Sequence, residues 1–124
     1  MSLLAAGICQ HVSEFLGEAE EAYRHRLYAS TVVMSRAAVR YRLSGGLKRE
    51  GSSLRDLAAR AKRDGADIDV SEIGKLSWIR NKAIHEGYVP RREEASWAVR
   101  TAGRNIEGLE KRGLLHRAMR WLSP

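Results

Sequence analysis

The sequence has little cysteine or proline and no long apolar run, and each of these shortages limits the kind of protein that it can be. It has one cysteine, Cys9, so no disulfide can form within the chain. Its two prolines are Pro90 and Pro124, so no proline interrupts a helix in the first 89 residues. No apolar run approaches the length of a transmembrane helix. The opening MSLLAAGICQ lacks the basic start and the length of a signal peptide, so we expect a cytoplasmic protein.

The residues that are abundant describe a small, basic, folded domain. Of the 124 residues 44% are hydrophobic, enough for a modest core, and only 6% are aromatic. Twenty-two Lys and Arg outnumber 15 Asp and Glu, which gives a net charge of +7. A field of this sign favours nucleic acid, another polyanion or an acidic partner protein, and the charge alone does not choose among them.

Apolar residues recur at spacings of three and four along most of the chain, the period of amphipathic helices. Strong helix formers dominate these segments, and no strand pattern is present. The sequence therefore predicts an all-α, antiparallel bundle of about four to six helices in one domain, 1–124. The apolar stripes run from Ile8 to Tyr23, Leu27 to Tyr41, Leu54 to Ala61, Ile73 to Ala83 and Ala95 to Leu109.

Signals for helix ends are present at most of the expected boundaries. They are the glycines of Ser44–Gly46 after the second helix, Ser52 or Ser53 as the N-cap of the third, Asp69 with Glu72 before the fourth, and Gly87–Pro90 after it. The end of the first helix is unmarked, because the segment 23–28 contains neither Gly nor Pro. Gly113 is expected to break or kink the fifth helix before a short basic helical tail, about 113–122, which by default packs on its own domain.

The segment WIRNKAIHEGYVP, 78–90, holds the best candidate site. Asn81 and His85 are four residues apart, so they lie on one helix face about 40° apart. Arg80 and His85 are about 140° apart, so they meet only if Arg80 reaches around or the helix ends near His85. Structural alternatives exist for both. His85 near a helix C-terminus is favourable through the helix dipole, and Arg80 can be an ordinary surface cation.

Other side chains have less specific interpretations. Arg36 and Arg40 lie four apart on the second helix, as a solvated face or as phosphate contacts if they line a cleft. Trp78 and Trp97 are expected to anchor the core or a dimer interface rather than to stack on bases. We expect no metal site and no cofactor, because the remaining histidines lack ligand spacing with carboxylates or with Cys9. These are His11, His25 and His116.

The segment RNKAIH, 80–85, resembles the R-x4-6-H motif of HEPN domains (higher eukaryotes and prokaryotes nucleotide-binding), including the polar residue after the arginine. The resemblance extends to the second helix, YASTVVMSRAAVRYRL, and to the residues HEGYVPRREEA, and covers about 10–110. It implies an all-α bundle, commonly a homodimer, that is a metal-independent endoribonuclease. In toxin–antitoxin systems such a domain is often paired with a nucleotidyltransferase.

The resemblance also implies roles for individual residues. His85 would be the acid or base, Arg80 would bind the phosphate and stabilise its developing charge, and Asn81 would orient the histidine or bind a substrate oxygen. The RNA-binding residues would be Arg36, Arg40 and Lys82. Concerted acid and base catalysis prefers two histidines, which a two-fold dimer would bring into one cleft.

Two departures from the family pattern keep an alternative open. Arg40 stands where many relatives carry an acidic residue, and Tyr88 lies three residues after His85, where some toxins have a modified tyrosine at two. The alternative is a non-catalytic module that binds RNA, a nucleotide or a partner protein. A helical DNA-binding protein is a third hypothesis, although the sequence contains no clear helix-turn-helix pattern.

Overall fold

The computed structural model describes the backbone of residues 7–45 and 53–122 and the side chains of 10–45 and 53–111. This part of the chain forms five helices and no strand, so the prediction of an all-α bundle is confirmed. The helices are α1 (Gly7–Arg24), α2 (Tyr28–Ser44), α3 (Leu54–Arg63), α4 (Val70–His85) and α5 (Arg92–Leu122). The side chains of Cys9 and of the basic tail lie outside the described residues, as does the charged segment 47–51.

Helix α2 lies at the centre of the bundle and contacts all four other helices. Its buried residues are small or β-branched, which lets the neighbouring backbones approach closely: Thr31, Val32, Ser35, Ala38 and Val39. The predicted stripe from Leu27 to Tyr41 is wrong in part. Leu27 precedes the helix and is 56% exposed, while Met34 and Tyr41 are only half-buried.

The turn between α1 and α2 is made without glycine. Arg26 adopts a left-handed backbone conformation, φ 61°, the position that glycine usually takes after a helix. The amide of Leu27 donates to the carbonyl of Ala22 at 2.8 Å, and the amide of Arg26 donates to that of Tyr23 at 3.0 Å. The helix end was unmarked in the sequence because an arginine occupies the glycine position.

The other predicted helix starts are confirmed by their capping bonds. Ser53 accepts a hydrogen bond from the amide of Asp56 at 3.1 Å, so this serine is the N-cap of α3. Asp69 accepts from the amide of Glu72 at 3.0 Å and caps α4. Each bond satisfies one of the amides that a first helical turn leaves without a partner.

Helix α5 holds the start of α4 in place through Asn105, which is buried. The side-chain oxygen of Asn105 accepts from the amide of Asp69 at 2.8 Å, and its side-chain nitrogen donates to the carbonyl of Thr101 at 2.8 Å. One turn further, Gly108 lies so close to the loop that an added Cβ would overlap the carbonyl oxygen of Asp67. These two contacts fix where α4 begins relative to α5.

Helix α5 runs through Gly113 without interruption, so the predicted break is wrong. One glycine inside a helix costs only about 1 kcal/mol relative to alanine, too little to end a helix of 31 residues. None of the helices in the described ranges combines the length and the apolar character that crossing a membrane requires.

Candidate functional site

A groove of about 780 Å³ lies between α2, α4 and the first turn of α3. Its charged lining residues are all cationic: Arg36 and Arg40 from α2, Arg55 from α3 and Lys75 from α4. No carboxylate is among the lining residues that the structure describes. We call this surface the basic groove, and its charge favours an anionic ligand.

Arg36 is the most perturbed of these cations. Burial, together with the nearby charges of Arg80 and Arg40, lowers the pKa of Arg36 to about 10. Its Nε atom is buried and has no hydrogen-bond partner within the described residues. Three like charges are therefore crowded together, and an anion bound among them would relieve both the repulsion and the missing hydrogen bond.

The predicted residue Arg80 lies on the α2 side of α4, where its charge acts on Arg36. Its Nη1 donates to the side-chain oxygen of Asn81 at 2.9 Å, and Asn81 itself lines the basic groove. The observed hydrogen bond therefore links Asn81 to the arginine, whereas the sequence motif suggested that Asn81 orients the histidine. Together the two residues connect the motif to the groove.

His85 is the last residue of α4 and is exposed. It lies on the same outward face as Asn81 and Trp78, but it does not line the groove and makes no hydrogen bond or ion pair with the described residues. The structure thus brings together Arg36, Arg80 and Asn81, with Arg40 one turn along α2. Within one copy it does not bring His85 to them.

Lys82, predicted to bind RNA, lies on the opposite side of α4 from Arg80. Its ammonium group sits 4.5 Å from the ring centroid of Trp78 and 4.4 Å from that of Tyr88. The Tyr88 hydroxyl donates to Glu94, and this hydrogen bond raises the pKa of Tyr88. Modification of Tyr88 would therefore first require that the bond to Glu94 be broken.

The two tryptophans occupy different environments. Trp97 packs against the core and lies under the ammonium group of Lys75, as expected of an anchor. Trp78 is 58% exposed on the edge of the groove, so the core interpretation is wrong for this residue. The exposure of Trp78 could have been predicted from helical spacing, because Trp78 lies on the same helix face as Asn81 and His85 and away from the buried Ile79.

Two of the four cationic groove residues, Arg55 and Lys75, were not singled out in the sequence. Lys75 precedes Trp78 by three residues, so its presence on the same side of α4 could have been read from helical spacing. Arg55 reaches the groove only because α3 packs its first turn beside α2 and α4, which no local pattern indicates.

No group of three or more His, Cys, Asp or Glu side chains in the described residues is arranged to hold a metal ion. Comparison of the chain with protein-family models, curated proteins and solved structures gave no match. Its function is therefore inferred from the groove, the motif and their chemistry.

Proposed function

We propose that the chain is a HEPN-like, metal-independent endoribonuclease that binds single-stranded RNA in the basic groove. The observation that carries the proposal is the groove itself, where four cationic side chains adjoin the exposed ring of Trp78. Proteins that bind single strands combine these features, because cations hold the phosphates and aromatic rings stack on the bases. The resemblance of the segment 80–85 to the HEPN motif supplies the cleavage chemistry.

In this proposal each motif residue has one role. One His85 removes the proton of the RNA 2′-hydroxyl that attacks the phosphorus, and the His85 of a second copy protonates the 5′-oxygen as its bond to phosphorus breaks. Arg80 binds the scissile phosphate and stabilises the charge that develops on it, and the hydrogen bond from Arg80 to Asn81 holds the guanidinium beside the groove. Arg36 and Arg40 bind neighbouring phosphates of the same strand.

A second copy of the chain would complete the site. His85 lies outside the groove, and the apolar side chains of Ile84 and Val89 beside it are 47% and 73% exposed. We propose a homodimer that covers these side chains and brings two His85 rings into one cleft.

Sedimentation should give a dimer for the wild type and a monomer for Ile84→Glu, and only the dimer should cleave. Cleavage by a stable monomer would contradict the shared cleft.

The cleavage assay uses a labelled single-stranded RNA with a chelator present. We expect the wild type to cut it and His85→Ala to lose cleavage at least 100-fold while remaining folded. His25→Ala is the matched control, because His25 is also exposed and lies far along the chain from the motif. If the wild type leaves several RNAs intact, or if the two variants behave alike, His85 has no catalytic role.

A second candidate function is a non-catalytic module that binds RNA or a nucleotide in the same groove. The observation in its favour is that His85 does not line the groove and forms no hydrogen bond with Arg80 or Asn81, so the groove of one copy is a binding surface without a proton-transfer group. RNA affinity that survives His85→Ala but falls with Arg80→Ala, in a chain that does not cleave, would select this function.

The proposed biological setting is a cytoplasmic toxin–antitoxin pair with a nucleotidyltransferase partner. It rests on the family resemblance and on Tyr88, which would receive the nucleotide near the motif. Incubation with a nucleotidyltransferase encoded beside this chain should add nucleotides to wild type and not to Tyr88→Phe. Equal labelling of both would exclude Tyr88 as the acceptor.

A further inference from the structure

A second cavity lies away from the basic groove, where α1 ends and where α2 and α5 begin. Its volume is about 490 Å³, within the range of small-molecule sites. Three arginines and two tyrosines line it, and none of them lines the basic groove: Tyr23, Arg24, Arg26, Tyr28 and Arg92. We call it the turn cavity.

One of the three cations forms an ion pair, and a neighbouring carboxylate, Glu93, acts electrostatically on a second, Arg92. Arg24 pairs with Glu21 at 2.9 Å. Arg26 and Arg92 form no ion pair with any carboxylate that the structure describes. Arg92 instead donates from Nε to the hydroxyl of Tyr23 at 3.2 Å, and this bond lowers the pKa of Tyr23. The cavity therefore offers two guanidinium groups and a polarised phenol.

The backbone at Arg26 points to a role beyond the turn. Its left-handed conformation disfavours any side chain with a Cβ, and the turn's hydrogen bonds use only backbone atoms. Glycine would make the same turn with less strain. A strained residue that also supplies a cation to a cavity is the pattern of a binding site, where strain is retained because the side chain is needed.

We propose that the turn cavity binds a small phosphate monoester whose ester group carries a planar ring. Guanidinium groups bind a phosphate through paired hydrogen bonds, and Arg26 and Arg92 both line the cavity. The rings of Tyr23 and Tyr28, with centroids 6.0 Å apart and tilted by 46°, line the remaining wall and give the planar group an aromatic surface. This site does not depend on RNA cleavage in the groove.

The test is a titration of the full-length, ¹⁵N-labelled chain with phenyl phosphate, inorganic phosphate and phenol, followed by NMR. Phenyl phosphate should saturate, shifting the Nε signals of Arg26 and Arg92 and the amides of 23–28, and it should bind more tightly than either fragment. Absence of saturation, or shifts centred on the basic groove, would overturn the site. Equal affinity for phenyl phosphate and inorganic phosphate would show that Tyr23 and Tyr28 do not bind the planar ring.

Two variants and a control separate binding from folding. Arg92→Gln should weaken phenyl phosphate binding about ten-fold or more. Arg26→Gly should weaken it similarly while raising Tm by about 4 °C, because the strain is removed. Arg63→Gln loses the same charge at an exposed position of α3 and should change neither. Unchanged affinity in the more stable Arg26→Gly would refute the proposal.

Discussion

Arg36 lies half-buried on α2, and burial together with Arg80 and Arg40 lowers its pKa to about 10. The folded state therefore binds this proton less tightly than the unfolded chain does. At neutral pH the charged Arg36 lowers the free energy of unfolding, and this loss begins to be relieved only when the pH rises above about 10, where the folded state releases the proton before the unfolded chain does. At the basic groove, the charge of Arg36 therefore lowers stability, whereas the proposed binding function needs that charge.

Replacing Arg36 by methionine tests this conflict. Arg36→Met keeps an unbranched side chain that reaches about as far as the arginine Nε and removes the charge, so we expect the free energy of unfolding at pH 7 to rise by about 1 kcal/mol. RNA affinity should fall at the same time, because a phosphate contact is lost. Urea unfolding and RNA titration of the same preparation measure the two effects.

The matched control is Arg63→Met, which removes an exposed arginine that lines neither cavity. It should change both quantities little. If Arg36→Met instead destabilises the chain, the guanidinium has a favourable partner that outweighs its burial and the charges of Arg80 and Arg40.

The two asparagines make another matched pair at the residue scale. Asn105→Ala removes a buried side chain and leaves the amide of Asp69 without its acceptor, so we expect a loss of about 2 kcal/mol in urea unfolding. Asn81→Ala, on the exposed face of α4, should change stability by less than about 0.5 kcal/mol. RNA binding should show the reverse order. Equal destabilisation by both would mean that Asn105 does not hold α4 to α5.

At the scale of helices, two glycines of α5 should respond oppositely to alanine. Gly108→Ala places a Cβ against the backbone of Asp67, so the loop must move and we expect a loss of about 3 kcal/mol. Gly103→Ala meets no atom and should add about 1 kcal/mol through helix propensity. Thermal unfolding of the pair checks the signs, and stabilisation by Gly108→Ala would contradict the close approach.

Local signals in the sequence were sufficient for most helix ends. Ser53 and Asp69 were predicted as caps because their bonds reach only three residues ahead, and both bonds are present. The end of α1 could not be predicted, because Arg26 adopts the left-handed backbone conformation that is usually expected of glycine. The break predicted at Gly113 was wrong because a long helix tolerates one glycine.

The candidate site was predictable only in part. Helical spacing placed Asn81 and His85 on one face, and it required Arg80 to point elsewhere, as it does. The meeting of Arg80 with Arg36 and the inclusion of Arg55 depend on how three helices pack, which residue order within each helix does not determine.

At the scale of the whole molecule, the salt dependence of the proposed RNA binding measures how many cations of the groove contact phosphates. If its four cations and Arg80 contact phosphates of a single strand, the logarithm of affinity should fall with the logarithm of salt concentration with a slope of about −3.5. Duplex DNA should bind more weakly at every salt concentration. An equal preference for duplex DNA would favour the helical DNA-binding hypothesis instead.

A pair of α3 variants tests whether the groove is the source of this slope. Arg55 lines the groove, so Arg55→Gln should make the slope shallower by about 0.7. Arg63→Gln removes the same charge from the same helix and should leave the slope unchanged. A common slope for the two variants would mean that the overall charge of the molecule, rather than the groove, attracts RNA.

The close approach of Gly108 to Asp67 has a consequence for genetics. A screen for inactive mutants would recover almost every substitution at Gly108, because each adds a Cβ where backbone already lies. The position would then look as essential as His85, although it lies outside the basic groove and the turn cavity. Measuring how much folded protein each mutant accumulates would separate the two classes, since only the Gly108 mutants should be depleted from the cell.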